Sequence, residues 1–143
     1  MKSITLKILL LVALTSSGSA AGSASVEASL VQLIANPKQF NGKFVRVIGF
    51  LRLEFEGNAI YLHQEDYVHA ISKNGIWVNL PLDWPHQKAI NNKYVIVEGV
   101  FDAKHHGHMG AFSGEISNLK RADLWSDPVN SITAQFARSR KHQ

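Results

Sequence analysis

Asn41-Gly-Lys-Phe-Val-Arg-Val-Ile-Gly-Phe50 returns 50 positions later as Asn91-Asn-Lys-Tyr-Val-Ile-Val-Glu-Gly-Val100. Each copy reads Asn-x-Lys-aromatic-Val-x-Val-x-Gly. A turn signal leads into a β-branched run, and a glycine follows where such a strand can bend sharply. Two bent strands of this kind predict a small, strongly curled sheet that closes on itself.

The remaining strand signals lie around these two. The first copy predicts a strand over Phe44 to Phe55, turned by Glu56-Gly57-Asn58 into a second over Ala59 to Gln64. A polar connection, Glu65 to Asn74, leads to a third strand, Ile76 to Leu80, which stops at Pro81. Pro81 to Asn92, with Trp84 and Pro85, reads as a loop with at most one helical turn. The fourth strand is Lys93 to Ala103, and a histidine-rich loop leads to a fifth, Ala111 to Leu119. Val26, Leu30, Leu33 and Ile34 recur at helical spacing before Asn36-Pro37, and predict a short amphipathic helix. Asp127 before Pro128 starts a second, with Val129, Ile132 and Phe136 on one face.

Alternation along the first strand sends Val45, Val47, Gly49, Leu51 and Leu53 inward, and Phe44, Arg46, Ile48, Phe50 and Arg52 outward. The same parity puts Ile60, Leu62, Ile76, Val78 and Leu80 inside and leaves Tyr61, His63, Trp77 and Asn79 outside.

Lys2 and Lys7 precede an apolar run from Ile8 to Leu14, followed by small residues ending Gly18-Ser19-Ala20. This is the layout of a secretory signal peptide. The run falls short of the ~20 apolar residues that span a bilayer, so cleavage near Ala20 is expected rather than a retained anchor. Removal of residues 1–20 from the 143 leaves 123, enough for one hydrophobic core. The expected organisation is signal peptide 1–20, linker and helix 21–39, β-barrel 40–125, and C-terminal helix with a basic tail 126–143. The chain has no cysteine, which excludes disulfides, thiolate metal sites and a thiol nucleophile. Both signs fit a secreted protein of a bacterial periplasm.

The formal charge of +4 resides at the ends. With Lys2, Lys7, Arg138, Arg140 and Lys141 set aside, ten of the 15 basic residues face all 11 acidic ones. A near-neutral body gives no general attraction for nucleic acid, which is therefore not the favoured partner.

Five strands, with bent first and fourth members and a long connection after the third, resemble the OB-fold. The resemblance covers about Phe40 to Leu124 and rests on the Gly-Lys-x-Val-x-Val-x-Gly opening and on Lys-Tyr-Val-x-Val-Glu-Gly-x-Phe. It is closest to the small secreted bacterial OB-fold domains of tRNA-anti-like or bacterial OB-fold type. The chain departs from them where a Pro/Trp loop replaces the usual helix between the third and fourth strands. The fold class expected is thus mainly β: a small five-stranded OB-like barrel with a short N-terminal and a short C-terminal helix. The resemblance implies that the outer face of the first three strands binds oligonucleotides or oligosaccharides. Arg46, Phe50, Arg52, Tyr61, His63 and Trp77 lie on that face, aromatic planes for stacking beside guanidinium forks. Two amphipathic helices also need a surface to cover, and this face is one they could take.

A second cluster, Asp102 with His105, His106 and His108 between Gly107 and Gly110, has the donors for a divalent metal, with His63 or His69 as further ligands. Glu54, Glu56, Glu65 and Asp66 are carboxylates that hydrolysis could use, but spacing alone does not bring them together. Neither a Gly-x-Ser-x-Gly elbow nor a phosphate-binding Gly-x-x-x-x-Gly-Lys loop occurs. The sequence therefore points to a secreted, non-enzymatic binding module for an oligosaccharide, a polyanion or a protein partner. Its alternative is a metal-binding or metal-dependent periplasmic protein centred on His105, His106 and His108.

Overall fold

A computed structural model describes residues 24–126. The expected signal peptide and C-terminal helix lie outside the described residues. The chain runs β1 (Val26–Glu27), α1 (Leu30–Ala35), α2 (Pro37–Phe40), β2 (Phe44–Arg52), β3 (Ala59–Tyr61), α3 (Gln64–Val68), β4 (Gly75–Val78), α4 (Gln87–Ile90), β5 (Lys93–Asp102) and β6 (Glu115–Leu124). One sheet runs β1-β2-β3-β4-β6-β5, and a further β2–β5 pairing closes it. The result is a five-stranded OB-like barrel with β1 added alongside, β4 and β6 being its parallel pair.

The sequence repeat is the closure itself. β2 and β5 are antiparallel, with Val47 opposite Val97, Val45 opposite Gly99 and Gly49 opposite Val95. The two copies are therefore related by a local twofold through the Val47–Val97 pair, and their surroundings obey it. Each copy follows a four-residue helical turn, Pro37–Phe40 or Gln87–Ile90, whose last side chain is buried in the core. Gly42 N donates to Phe101 O at 2.8 Å, and Asn92 N to Leu51 O at 2.9 Å, both from left-handed backbone. Each repeat glycine sits where its strand's other edge is irregular: β2 passes from β1 to β3, and β5 shifts register on β6. A Cβ on Gly49 would lie 2.5 Å from Tyr61 O, and one on Gly99 2.7 Å from Ser117 O. Neighbouring strands approach too closely there for any side chain.

The interior follows the expected parity. Val45, Val47, Leu51, Ile60, Ile76, Val78, Val95, Val97, Phe101 and Ile116 form one buried cluster. Burial of these apolar side chains, at roughly 25 cal/mol per Å², is the main source of stability in a chain without disulfides.

Several elements differ from expectation. Val26 and Glu27 are extended, not helical, and pair parallel to Val45 and Arg46. The helix starts at Leu30, where Ser29 and Gln32 form a capping box (Gln32 N to Ser29 Oγ 3.2 Å, Ser29 N to Gln32 Oε1 2.8 Å). Leu30 and Leu33 enter the barrel core, so α1 does not lie on the outer face. Pro37 opens a second helical turn rather than ending helical structure. The Glu65 to Asn74 connection contains α3 and a 3₁₀ turn, Ser72–Asn74. The last strand begins at Glu115 and not near Ala111, because residues 111–114 fold over the sheet. Among the described residues no helix is long and apolar enough to cross a membrane.

Candidate functional site

On the outer face of the barrel, the two arginines are held by carboxylates. Arg46 faces Glu27 across β1–β2 and Glu98 across β2–β5, and Glu98 in turn faces Arg121 on β6. The distances are 3.6 Å to Glu27, 2.7 Å from Arg46 Nε to Glu98 Oε1, and 3.7 Å from Arg121 to Glu98. Arg121 also reaches Asp123 at 2.8 Å. This charge ladder crosses four strands and places opposite signs in register. The hydrogen bond and charge of Glu98 push the Arg46 guanidinium pKa further up. Arg52 donates to Glu54 at 3.2 Å and to Asn92 Oδ1 at 2.8 Å, and lies over the Tyr67 ring at 5.0 Å. Both guanidiniums are thus paired within the fold.

The aromatics of the same face are divided. Phe50 is only 2 % exposed and Tyr61 5 %, against the expectation that both are available for stacking. Phe50 makes an edge contact with Tyr94 at 5.9 Å. Tyr61 forms a second small core with Ala59 and Phe112, flanked by Tyr67 and Trp77. Burial pushes the Tyr61 phenol up, and the Glu54 charge adds to the effect. Among the described residues, Tyr61 is covered by α3 and the loop before β6. His63 is exposed, with its Nδ1 3.5 Å from the Tyr94 hydroxyl. Trp77 is half-buried, its ring 5.4 Å from that of Phe112.

Trp77 leads to a different site. The β2–β3 turn and the β5–β6 loop face each other across a cleft of about 370 Å³ with Trp77 in its lining. Glu56 and Asn58 come from the turn, His105, His106 and His108 from the loop, and Glu115 from the start of β6. Gly107 lies directly on the indole: a Cβ there would sit 2.6 Å from Trp77 Cδ2, and its φ of +61° suits glycine. His108 Nε2 stands 3.5 Å from Glu56 Oε2, joining loop to turn. Glu56 and Met109 both hold left-handed backbone here, at φ 58° and 54°. Non-glycine residues in this region persist where the surroundings impose it, commonly at ligand sites.

Two of the cleft histidines have partners of their own. His105 Nδ1 is 2.8 Å from Asp102 Oδ2, which holds the Asp102 carboxyl below its usual range and raises the His105 imidazole. His106 Nδ1 is 3.1 Å from Phe112 O. The expected trio of His105, His106 and His108 borders one cleft, but among the described residues no three His, Asp or Glu side chains converge as a metal site would require. The carboxylates are dispersed as well. Tyr67 Oη donates to Glu54, while Asp66 accepts from His63 N and from Asn74 Nδ2. Of the four carboxylates singled out in the sequence, only Glu56 lines the cleft.

Sequence reasoning selected Trp77, His105, His106 and His108 but assigned them to two separate sites, and it missed Asn58 and Glu115. Asn58 reads as turn punctuation and Glu115 as strand surface, so only the fold shows that they border one cleft. No protein-family model matches the chain. No curated protein matches its sequence.

Proposed function

We propose that this chain is a secreted, non-enzymatic OB-like binding module that holds an oligosaccharide of neutral or amino sugars in the cleft between the β2–β3 turn and the β5–β6 loop. The reading rests on one observation: a half-buried Trp77 bordered by Glu56, Asn58 and Glu115. An indole offers a flat apolar surface to the C–H face of a sugar ring, and carboxylate and amide oxygens accept hydrogen bonds from its hydroxyls. In OB-folds the two loops that flank this cleft are the usual ligand-binding loops.

The charge distribution favours sugar over polyanion. Glu56 and Glu115 place two carboxylates at the cleft beside the imidazoles of His105, His106 and His108, and the guanidiniums of Arg46 and Arg52 are already paired elsewhere. A phosphate- or sulfate-bearing ligand would meet the two carboxylates with no guanidinium or ammonium in the lining to offset them, which costs affinity and on-rate.

Glycan-array screening of the protein with signal peptide removed tests this directly. Binding to uncharged or amino-sugar glycans is expected, weakened by Trp77→Phe and little changed by salt. Capture of sulfated or uronate glycans alone, with affinity falling steeply as salt rises, would overturn it.

A further inference from the structure

Beside the Trp77 cleft, on the other side of the β2–β3 turn, lies a second groove of about 350 Å³ bordered by Leu53, Phe55, Asn58, Leu82 and Lys88. Asn58 lines both depressions, so the two adjoin at the turn. Phe55 is 92 % exposed and Leu82 98 %, the most open large apolar side chains among the described residues. Single exposed hydrophobes are ordinary, whereas two that flank one groove next to a cleft form a patch.

Both side chains stand on fixed backbone. The turn that carries Phe55 is tied by Gly57 N to Glu54 O at 3.2 Å and by Glu54 N to Asn58 Oδ1 at 3.1 Å. Leu53 is held at both backbone groups by the Asn91 amide, at 2.8 and 3.0 Å. On the opposite wall, Gln87 Nε2 donates to Pro81 O at 2.8 Å and to Leu82 O at 2.7 Å. Apolar groups presented on pinned backbone lose little entropy on binding, as a ligand subsite requires.

We infer that the Phe55–Leu82 groove is a second subsite for the same oligosaccharide, so that the ligand is a chain of neutral or amino sugars running from Trp77 across Asn58 to the Phe55 ring. This extension rests on the cleft reading above. It assigns Phe55 a stacking role and predicts that affinity grows with ligand length until both depressions are filled.

The probe is a graded series of chitin oligosaccharides, from the disaccharide upward, titrated calorimetrically into wild type, Phe55→Ser and Trp77→Phe. Wild type is expected to bind longer oligomers more tightly than the disaccharide. Phe55→Ser should remove about tenfold of affinity for the long oligomers, the effect of losing one aromatic anchor, and leave the disaccharide unchanged. Trp77→Phe should weaken every length. Melting curves control for folding, and Phe55→Ser is expected to match wild type because the ring touches so little.

Affinity independent of length, or long oligomers indifferent to Phe55→Ser while Trp77→Phe still weakens binding, would overturn the second subsite and leave the cleft standing. If no oligomer binds wild type, the cleft reading fails and the extension fails with it.

Discussion

Asn41 and Asn91 make the same hydrogen bond at opposite ends of the β2–β5 pair. Asn41 Oδ1 accepts from Ala103 N at 2.9 Å, and Asn91 Oδ1 from Leu53 N at 2.8 Å. The local twofold exchanges the two asparagines, and each fastens the backbone just beyond the end of the other copy's strand. The equivalence breaks at one point, because Asn91 Nδ2 also donates to Leu53 O at 3.0 Å. Asn91→Ala therefore strands a part-buried donor and acceptor, and is expected to lower unfolding free energy by about 1–3 kcal/mol. Asn41→Ala frees one donor near solvent and should cost less. Urea denaturation of the two variants gives the order, and a larger loss for Asn41→Ala would contradict the assignment.

Gly49→Ala tests the close approach of β2 and β3. The new methyl meets Tyr61 O at 2.5 Å, Ile60 Cγ1 at 2.8 Å and Leu30 Cδ1 at 2.8 Å. The two side chains can shift, but a strand carbonyl cannot shift without disturbing the pairing. A destabilisation of about 1–3 kcal/mol, typical of overpacking, is expected by chemical denaturation. An unchanged midpoint would mean that the strands separate freely at this position.

The barrel was legible because its closing strands carry a strict period of two, and Val45, Val47 and Leu51 face inward as that period requires. The outer face was not, because alternation says which side a residue takes but not what folds over it. Phe50 and Tyr61 point outward and are nonetheless sealed, Phe50 by Tyr94 and Tyr61 by Phe112, both from distant segments, and by Tyr67 of the helix that follows β3. Arg46 reads as a free cation until the register sets Glu27 and Glu98 beside it. Val26 and Glu27 fit a helical stripe equally well, and the open edge of β2 decides for strand. The cleft depends on contact between a turn and a loop about 50 residues apart, which no local pattern encodes.

The Asp102–His105 contact predicts a definite pH response. Asp102 raises the His105 pKa, so the pair stabilises the fold fully below the ordinary imidazole value of about 6.5, and the gain disappears as pH rises through the raised folded value. His105 lowers the Asp102 pKa, so that contribution is present above the ordinary carboxylate range and disappears as pH falls through the depressed folded value. The loop before β6 is thus best anchored between the two. Proton NMR of the His105 ring should show a titration midpoint above about 6.5 that returns to it in Asp102→Asn. A midpoint unmoved by that substitution would show that the pair is open in solution.

Charge at the cleft makes a prediction that separates sugar selection from plain adhesion. Glu56→Gln/Glu115→Gln preserves side-chain size and removes two negative charges. Uncharged glycans should bind this variant more weakly, since amides accept hydroxyl hydrogen bonds less strongly than carboxylates do. Uronate-bearing glycans, rejected by wild type, should gain affinity because the repulsion is gone. Arg46→Ala/Arg52→Ala should change neither, as both guanidiniums serve the charge ladder and the Tyr67 contact outside the cleft. Parallel array measurements on the three proteins read out all of these effects. Loss of glycan binding in the arginine variant, with its melting temperature intact, would return the binding surface to the strand face and remove it from the loops.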